Sequence, residues 1–183
     1  MSKVLGGMAM SLDGFVADRE GRLDPLYPDL EALRQTEMLQ ELMRTTGAVV
    51  MGRHAYDIAE GDFTGYEFQV PIFVLTHHPP REVAKGENER LSFTFVTDGI
   101  ESAVRQAKAA AGERDVTVIG GADTIAQCLR AGLLDELNVG IRHVLLGGGL
   151  RFFDEVLTEP VELELSRAIE MPGATYLWFR VPK

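Results

Sequence analysis

Only one cysteine, Cys128, occurs among the 183 residues, so no disulfide can form within the chain, and a reducing compartment is compatible with it. Long apolar runs are missing as well. No stretch reaches the roughly 18 apolar residues of a membrane-spanning helix, and Asp13 interrupts the apolar N-terminal segment before a signal-like pattern develops. Basic blocks are absent: 18 Lys and Arg stand against 28 Asp and Glu, a formal net charge of −10, which argues against nucleic acid or an anionic membrane as the main partner. There is no complete GxGxxG fingerprint and no Walker loop, so neither standard nucleotide motif can be invoked. What is present, 45% hydrophobic and 25% charged residues, suffices for one sizeable core. A single soluble, cytoplasmic domain over residues 1–183 is the expectation.

The stretch DVTVIGGADTIAQCLRAGLLDEL (115–137) carries the strongest pattern. Val116-Thr117-Val118-Ile119 reads as a buried strand, and Ile125, Cys128 and Leu129 recur at helical spacing after Gly120-Gly121. Gly132 follows as a helix-ending glycine. Two glycines between a strand and a helix let backbone N–H groups approach a ligand, and the helix N-terminus favours an anion there. A phosphate site and an ordinary tight βα turn are both consistent with this. Cys128 lies on the apolar helical face, as a small core residue does.

Similar junctions recur along the chain. KVLGGMAM (3–10) reads as a strand, followed by the Asp13-Gly14 turn, which places Asp13 either in turn chemistry alone or at a pocket edge past the strand end. Asp29 caps a helix predicted through about Arg44. The short strand AVVM (48–51) runs straight into Gly52, where backbone amides can again face an anion beside Arg53 and His54. VPIFVLT (70–76) ends in Thr76, His77, His78 and Arg81. Adjacent histidines in an extended chain point to opposite sides, so one metal ion could rarely take both, and no metal site is expected. A hydroxyl, two imidazoles and a guanidinium at a strand end suit a phosphate better. A strand at 91–96, a helix from about 98 to Ala111, a long strand starting in DELNVGIRHVLL (135–146) and a hairpin over 161–181 complete the chain.

The order β-α-β-α-β-β-α-β-α-β-β-β predicts an α/β fold: a mixed, mostly parallel sheet with helices on both faces and a C-terminal antiparallel hairpin. Ligands of such sheets lie at the carboxyl ends of strands, where Met10, Gly52, Thr76 and Gly120-Gly121 fall.

Taken together, SLDGFVA (11–17), VVMGRHAYD (49–57), VLTHHP (74–79), VIGGADTIAQCLRAGLLDEL (118–137) and VLLGGGLRFF (144–153) resemble the dihydrofolate-reductase-like superfamily. The closer resemblance is to its branch similar to the C-terminal reductase domain of riboflavin biosynthesis, and it spans nearly the whole chain. It implies a three-layer dihydrofolate-reductase-like fold with NADPH across the strand ends. Carried over, Gly52, Arg53 and His54 would lie along the cofactor phosphates, and Gly120, Gly121, Ala122, Asp123 and Thr124 would cradle the pyrophosphate. Thr76 and His77 would flank the adenosine end, with His78 or Arg81 nearby. Met10 would touch the nicotinamide side through its backbone, and Asp13 would face the substrate. A homodimer is implied too, with apolar area on the DELNVGIRHVLL strand.

Two positions depart from the pattern. Asp123 brings a carboxylate into the phosphate turn, tolerable only if it faces away from the ligand. The acid that folate reductases place on their first helix has no clear counterpart at Glu31 or Glu37, which makes folate a poor fit. A lone cysteine also cannot build the HxE…PCxxC site of a zinc deaminase. The expected activity is hydride transfer from NADPH to a small heterocycle such as a ribosylaminopyrimidine, with Asp13 as orienter or proton donor. Two alternatives stand beside it: a non-catalytic NADPH- or pterin-binding protein, and an interaction protein that binds no nucleotide.

Overall fold

The computed structural model of the chain describes residues 2–154 and 157–183. The first half contains β1 (Val4–Ser11), β2 (Phe15–Ala17), α1 (Leu30–Arg34), α2 (Glu37–Thr45), β3 (Thr46–Gly52), α3 (Arg53–Ile58), β4 (Ile72–Leu75) and β5 (Phe93–Val96). The second contains α4 (Ile100–Ala111), β6 (Asp115–Ile119), α5 (Ala122–Arg130), β7 (Glu136–Arg142), β8 (Leu150–Arg151), β9 (Glu164–Met171) and β10 (Ala174–Arg180).

Eight strands form one sheet in the order β5-β4-β3-β6-β1-β7-β10-β9. The first six run parallel, and β10 and β9 close the edge antiparallel. Strand β3 shows why the sheet carries helices on both faces. Ala48 and Val50 enter one core with α4 and α5, while Val49 and Met51 enter a second core with α2 and α3. A run buried on both sides is what a parallel strand between two helical layers requires. In the first core Ala103, Ala107 and Ala111 bring α4 close to the sheet, and α5 adds Ile125 and Cys128. Burial pushes the Cys128 thiol up to about 12, so it remains a neutral packing group. The second core is aromatic. Tyr56 stacks on Phe63 and meets Phe93 and Phe95 edge-on, while its hydroxyl accepts the Ala84 N–H at 2.7 Å.

Three details differ from the sequence expectation. The helix expected from Asp29 to Arg44 is two helices: Gln35 ends α1, and Thr36 restarts the chain as the cap of α2, its hydroxyl accepting Leu39 N–H at 3.3 Å. The strand that starts at Glu136 stops at Arg142, and His143 N–H turns to the Gly173 carbonyl. Residues 15–17 and 150–151, too short to carry a periodic signal, pair as β2 and β8 in a small second sheet.

Because β1, β3, β4, β5, β6 and β7 are parallel, their last residues, Ser11, Gly52, Leu75, Val96, Ile119 and Arg142, share one edge of the sheet. No helix among the described residues is long and apolar enough to cross a membrane.

Candidate functional site

At the shared strand-end edge the turns after β3 and β6 are in direct apposition. Gly52 N–H donates to the Gly120 carbonyl at 3.0 Å, and a Cβ on Gly52 would stand 2.5 Å from Thr124 Oγ1. A side chain at Gly52 would have to displace the buried Thr124 hydroxyl. Gly120 has φ +49, the peptide between Gly120 and Gly121 is cis, and a Cβ at Gly121 would meet open space. Gly52 and Gly121 are the caps of α3 and α5, and neither helix start is satisfied by a capping side chain. Two sets of first-turn amides therefore face the same edge, as an extended diphosphate requires. Asp123 does not enter that space. Its carboxylate accepts from Gln127 Nε2 at 2.6 Å and approaches Arg130 at 3.7 Å along the exposed side of α5. Ala122 is buried behind the turn.

The cationic candidates collect beside these turns. Arg53 Nη1 donates to the His78 carbonyl at 2.7 Å and Nε to Asp57 at 2.8 Å, tying α3 to the chain after β4. Thr76 is buried; its hydroxyl donates to the His78 carbonyl at 3.0 Å. His54, His77, His78 and Arg81 are exposed. Arg53 is thus partly committed to the protein, whereas the imidazoles stay available to a ligand.

Asp13 sits just beyond β1 and reaches across to the loop after β7. Its two oxygens accept the amides of Leu146 at 3.0 Å and Gly147 at 2.8 Å. A hydrogen bond from Ser11, joined by these amides, holds its carboxyl down at about 2 against an ordinary 3.8. Both oxygens are thus engaged within the protein, and Asp13 is not among the residues that line the cleft beneath α1 and α2. Because the folded value lies below the unfolded one, its contribution to stability is full above pH 3.8 and disappears as the pH falls through about 2. Asp13→Asn should therefore lose stability at neutral pH and show a flatter decline than the parent across that acid window. Melting curves of the two proteins with pH check this; parallel declines would remove the anchor role.

A cleft of about 410 Å³ opens on the sheet face beneath α1 and α2. Its floor is made by alternate residues of neighbouring strands: Leu5, Gly7 and Ala9 of β1, Thr117 and Ile119 of β6, Asn138 and Gly140 of β7. Met10, one residue out of phase with Ala9, packs its side chain into the core on the other face, leaving only backbone at the strand end. Tyr176 and Trp178 of β10 form one wall, and Leu30, Leu33, Leu39 and Leu42 form the roof. The Tyr176 ring lies against Gly140, where a Cβ would stand 2.7 Å from Cε1. Tyr27, from the loop before α1, accepts the Ala9 N–H at 3.2 Å. Burial raises the pKa of both phenols, with Arg142 opposing the shift at Tyr176, so both are protonated donors at neutral pH. At Ala9, Ile119 and Gly140 the cleft reaches the strand ends, and Ile119 immediately precedes the Gly120-Gly121 turn.

Asn138, Tyr27, Tyr176 and Trp178 did not stand out in the sequence. Period-two alternation puts Tyr176 with Trp178, and Asn138 with Gly140, on common faces, yet nothing local says which face the helices leave open.

Comparison with known proteins agrees with this architecture. A family model described as the RibD C-terminal domain matches residues 2–173. YwjB of Bacillus subtilis strain 168, an uncharacterised protein, is 24% identical over 173 residues, 94% of each chain. A Shewanella sp. PV-4 protein assigned to riboflavin biosynthesis superposes with a TM-score of 0.80 at 24% identity, covering 99% of both chains. Dihydrofolate reductase from Enterococcus faecalis, solved with NADP(H) and RAB-propyl, superposes with a TM-score of 0.65 at 17% identity, covering 99% of this chain and 97% of that one. The fold is dihydrofolate-reductase-like.

Proposed function

The chain belongs to the RibD C-terminal domain family, and from that premise we propose that it is an NADPH-dependent reductase acting on a small planar heterocycle held in the cleft. One observation carries the reading: the cleft extends to Ile119 and Gly140 near the strand ends, where the glycine turns at Gly52 and Gly120-Gly121 start helices whose amides no side chain caps. A dinucleotide along those turns and a ring in the cleft would meet at the Ala9 end. The residues fit such a cofactor, since Gly121 leaves its approach open and Asp123 faces elsewhere. When bound, NADPH supplies two electrons and one hydrogen as hydride to a C=N or C=O carbon, and the heteroatom gains a proton from water or a protein hydroxyl.

The protein's own part is positional. Gly52, Gly120, Gly121 and Thr124 shape the pyrophosphate turn with Arg53 and His54 along the phosphates, while Thr76, His77 and His78 lie toward the adenosine side. Tyr27 and Tyr176 offer protonated hydroxyls beside Ala9 and Gly140, and the leucines of α1 and α2 exclude water from the ring. A pyrimidine such as 5-amino-6-(5-phosphoribosylamino)uracil is the first substrate to assay. Loss of NADPH absorbance on its addition supports the reading. NADPH binding without turnover on any pyrimidine or pterin favours a binding protein that kept the fold, and absence of NADPH binding removes the proposal.

Cofactor choice gives a separate test. A chain of net charge −10 repels a dinucleotide with an extra phosphate unless cations are placed locally. NADPH is therefore expected to bind more tightly than NADH. A charge-assisted hydrogen bond contributes about 1.5–3 kcal/mol, so His77→Ala or Arg53→Ala should weaken NADPH roughly tenfold or more and NADH less. Equal losses would assign the side chain to the shared pyrophosphate instead. A homodimer belongs to the same proposal; β7, where the apolar area was expected, lies inside the sheet between β1 and β10 with Leu137 and Val139 buried, so the exposed Leu163 and Leu165 at the β9 edge support it instead, and a one-chain mass in light scattering would remove it.

A further inference from the structure

The cleft is much longer than a ring. It runs along β1 from Ala9 at the strand-end edge back to Lys3, six residues and about 20 Å of extended chain. A substrate whose ring lies at the Ala9 end has room for its tail along β1 toward Lys3. That end is acidic. Among the charged residues that line the cleft, two cations, Lys3 and Arg167, stand against four carboxylates, Glu41, Glu67, Asp115 and Glu136. Both cations are already held: Lys3 Nζ lies 2.6 Å from Glu136, and Arg167 Nη1 lies 2.9 Å from Glu41 while its guanidinium covers the Trp178 ring. Glu67 is paired with Arg34 from outside the lining at 3.4 Å, which leaves Asp115, accepting the backbone N–H of Lys3, as the lining carboxylate without a cation among the described residues. Neither cation of the lining is free to receive a phosphate, and the overall charge of −10 adds to the repulsion.

The uncharged groups point to what does fit. Among the described residues, the Asn138 amide, the Tyr176 hydroxyl and the Trp178 indole N–H have no hydrogen-bond partner, while Thr117 is satisfied by Thr46 at 2.7 Å. A primary amide offers one acceptor and two donors side by side, the complement of a lactam edge, and the two aromatic side chains offer a wall for a flat ring. Arg142, on the same strand face as Asn138 and Gly140, has a buried Nε without a partner. It stands past Gly140 at the cofactor end and cannot serve the tail.

Resting on the reductase reading, we propose that the substrate is a planar lactam heterocycle whose tail is unphosphorylated, so that the cleft discriminates against the phosphoribosyl form of such a compound. The test uses 5-amino-6-(5-phosphoribosylamino)uracil and the same compound without its phosphate. Trp178 is the only tryptophan of the chain and lies in the cleft wall, so quenching of its fluorescence reports occupancy. NADPH binding is followed separately by the cofactor's own fluorescence.

The dephosphorylated ligand should bind about tenfold more tightly at low salt, with the gap narrowing as salt screens the carboxylates. Glu136→Gln releases Lys3 and should improve the phosphorylated ligand severalfold while leaving the other unchanged. Asn138→Ala should weaken both ligands alike. Equal or tighter binding of the phosphorylated ligand to the parent protein overturns the proposal, as does failure of both ligands to quench Trp178 in protein that binds NADPH. Protein that binds neither NADPH nor NADH but still prefers the dephosphorylated ligand would overturn the reductase reading and leave the cleft preference standing.

Discussion

Gly149→Ala is expected to lower the melting temperature by about 10 °C, the largest stability effect of any single methyl group added to this chain. Gly149 has φ +134, a backbone region that L side chains rarely enter, and a Cβ there would run into the carbonyl oxygen of Ala17. The neighbour is backbone in a strand and cannot swing aside. Strain of about 1–3 kcal/mol from the dihedral adds to a comparable cost of overpacking. What would open is the pairing of Ala17 with Leu150 and of Phe15 with Arg151, and with it the seat of Phe152, which is 2% exposed. Gly147→Ala is the control. Its φ of +67 is also left-handed, but a Cβ would meet nothing within 4 Å, so about 1 kcal/mol is expected. If the two variants melt together, the close approach at Ala17 is not what requires glycine.

The second large effect concerns the proposed cofactor binding. Gly52→Ala places a methyl group 2.5 Å from Thr124 Oγ1 and should weaken NADPH by roughly tenfold or more by prising apart the turns after β3 and β6. The backbone itself tolerates alanine, since φ at Gly52 is −76. Space alone decides, and space can be returned: Thr124→Ala deletes Oγ1, and the next atom, Thr124 Cβ, is 3.8 Å away. The double variant should therefore regain most of the affinity lost by Gly52→Ala, a coupling of about 1–2 kcal/mol in a double-mutant cycle. Strict additivity of the two substitutions would show that the turns do not act through this contact. Stability measured in parallel separates local repulsion from general unfolding.

The triple glycine at 147–149 serves packing of its own loop. Arg19 donates to the Gly147 carbonyl at 2.9 Å, and its guanidinium fills the space where a Gly148 side chain would go. Asp13 holds the amides of Leu146 and Gly147, and Leu12 N–H bonds to the Val144 carbonyl at 2.9 Å. These glycines are spent on closing the loop against residues 11–19. Asp13, singled out as a pocket-edge residue, is engaged in that same closure.

By itself the sequence determined the layered fold and the strand-end edge. Runs such as Ala48–Met51, apolar at every position, require burial on both faces, and alternation of such strands with amphipathic helices admits few arrangements other than a parallel sheet between two helical layers. Glycines placed where strands enter helices then put Gly52 and Gly120-Gly121 at the carboxyl ends, since that follows from chain direction alone. Tertiary structure decided the rest, because it depends on what lies opposite. The break between α1 and α2 at Thr36 rests on one hydroxyl, which donates to the Leu33 carbonyl at 2.7 Å and accepts Leu39 N–H at 3.3 Å, too local for periodicity to register. Whether Asp123 faces a ligand turned on Gln127, one turn further along α5. The cleft exists because α1 and α2 leave one sheet face partly open, so the alternating Asn138 and Gly140, Tyr176 and Trp178 become a lining instead of a core. Charge followed the same rule: a sequence records that Lys3 and Arg167 are cations, but only the folded chain pairs them with Glu136 and Glu41, residues 133 and 126 positions away, and so leaves the far mouth of the cleft acidic.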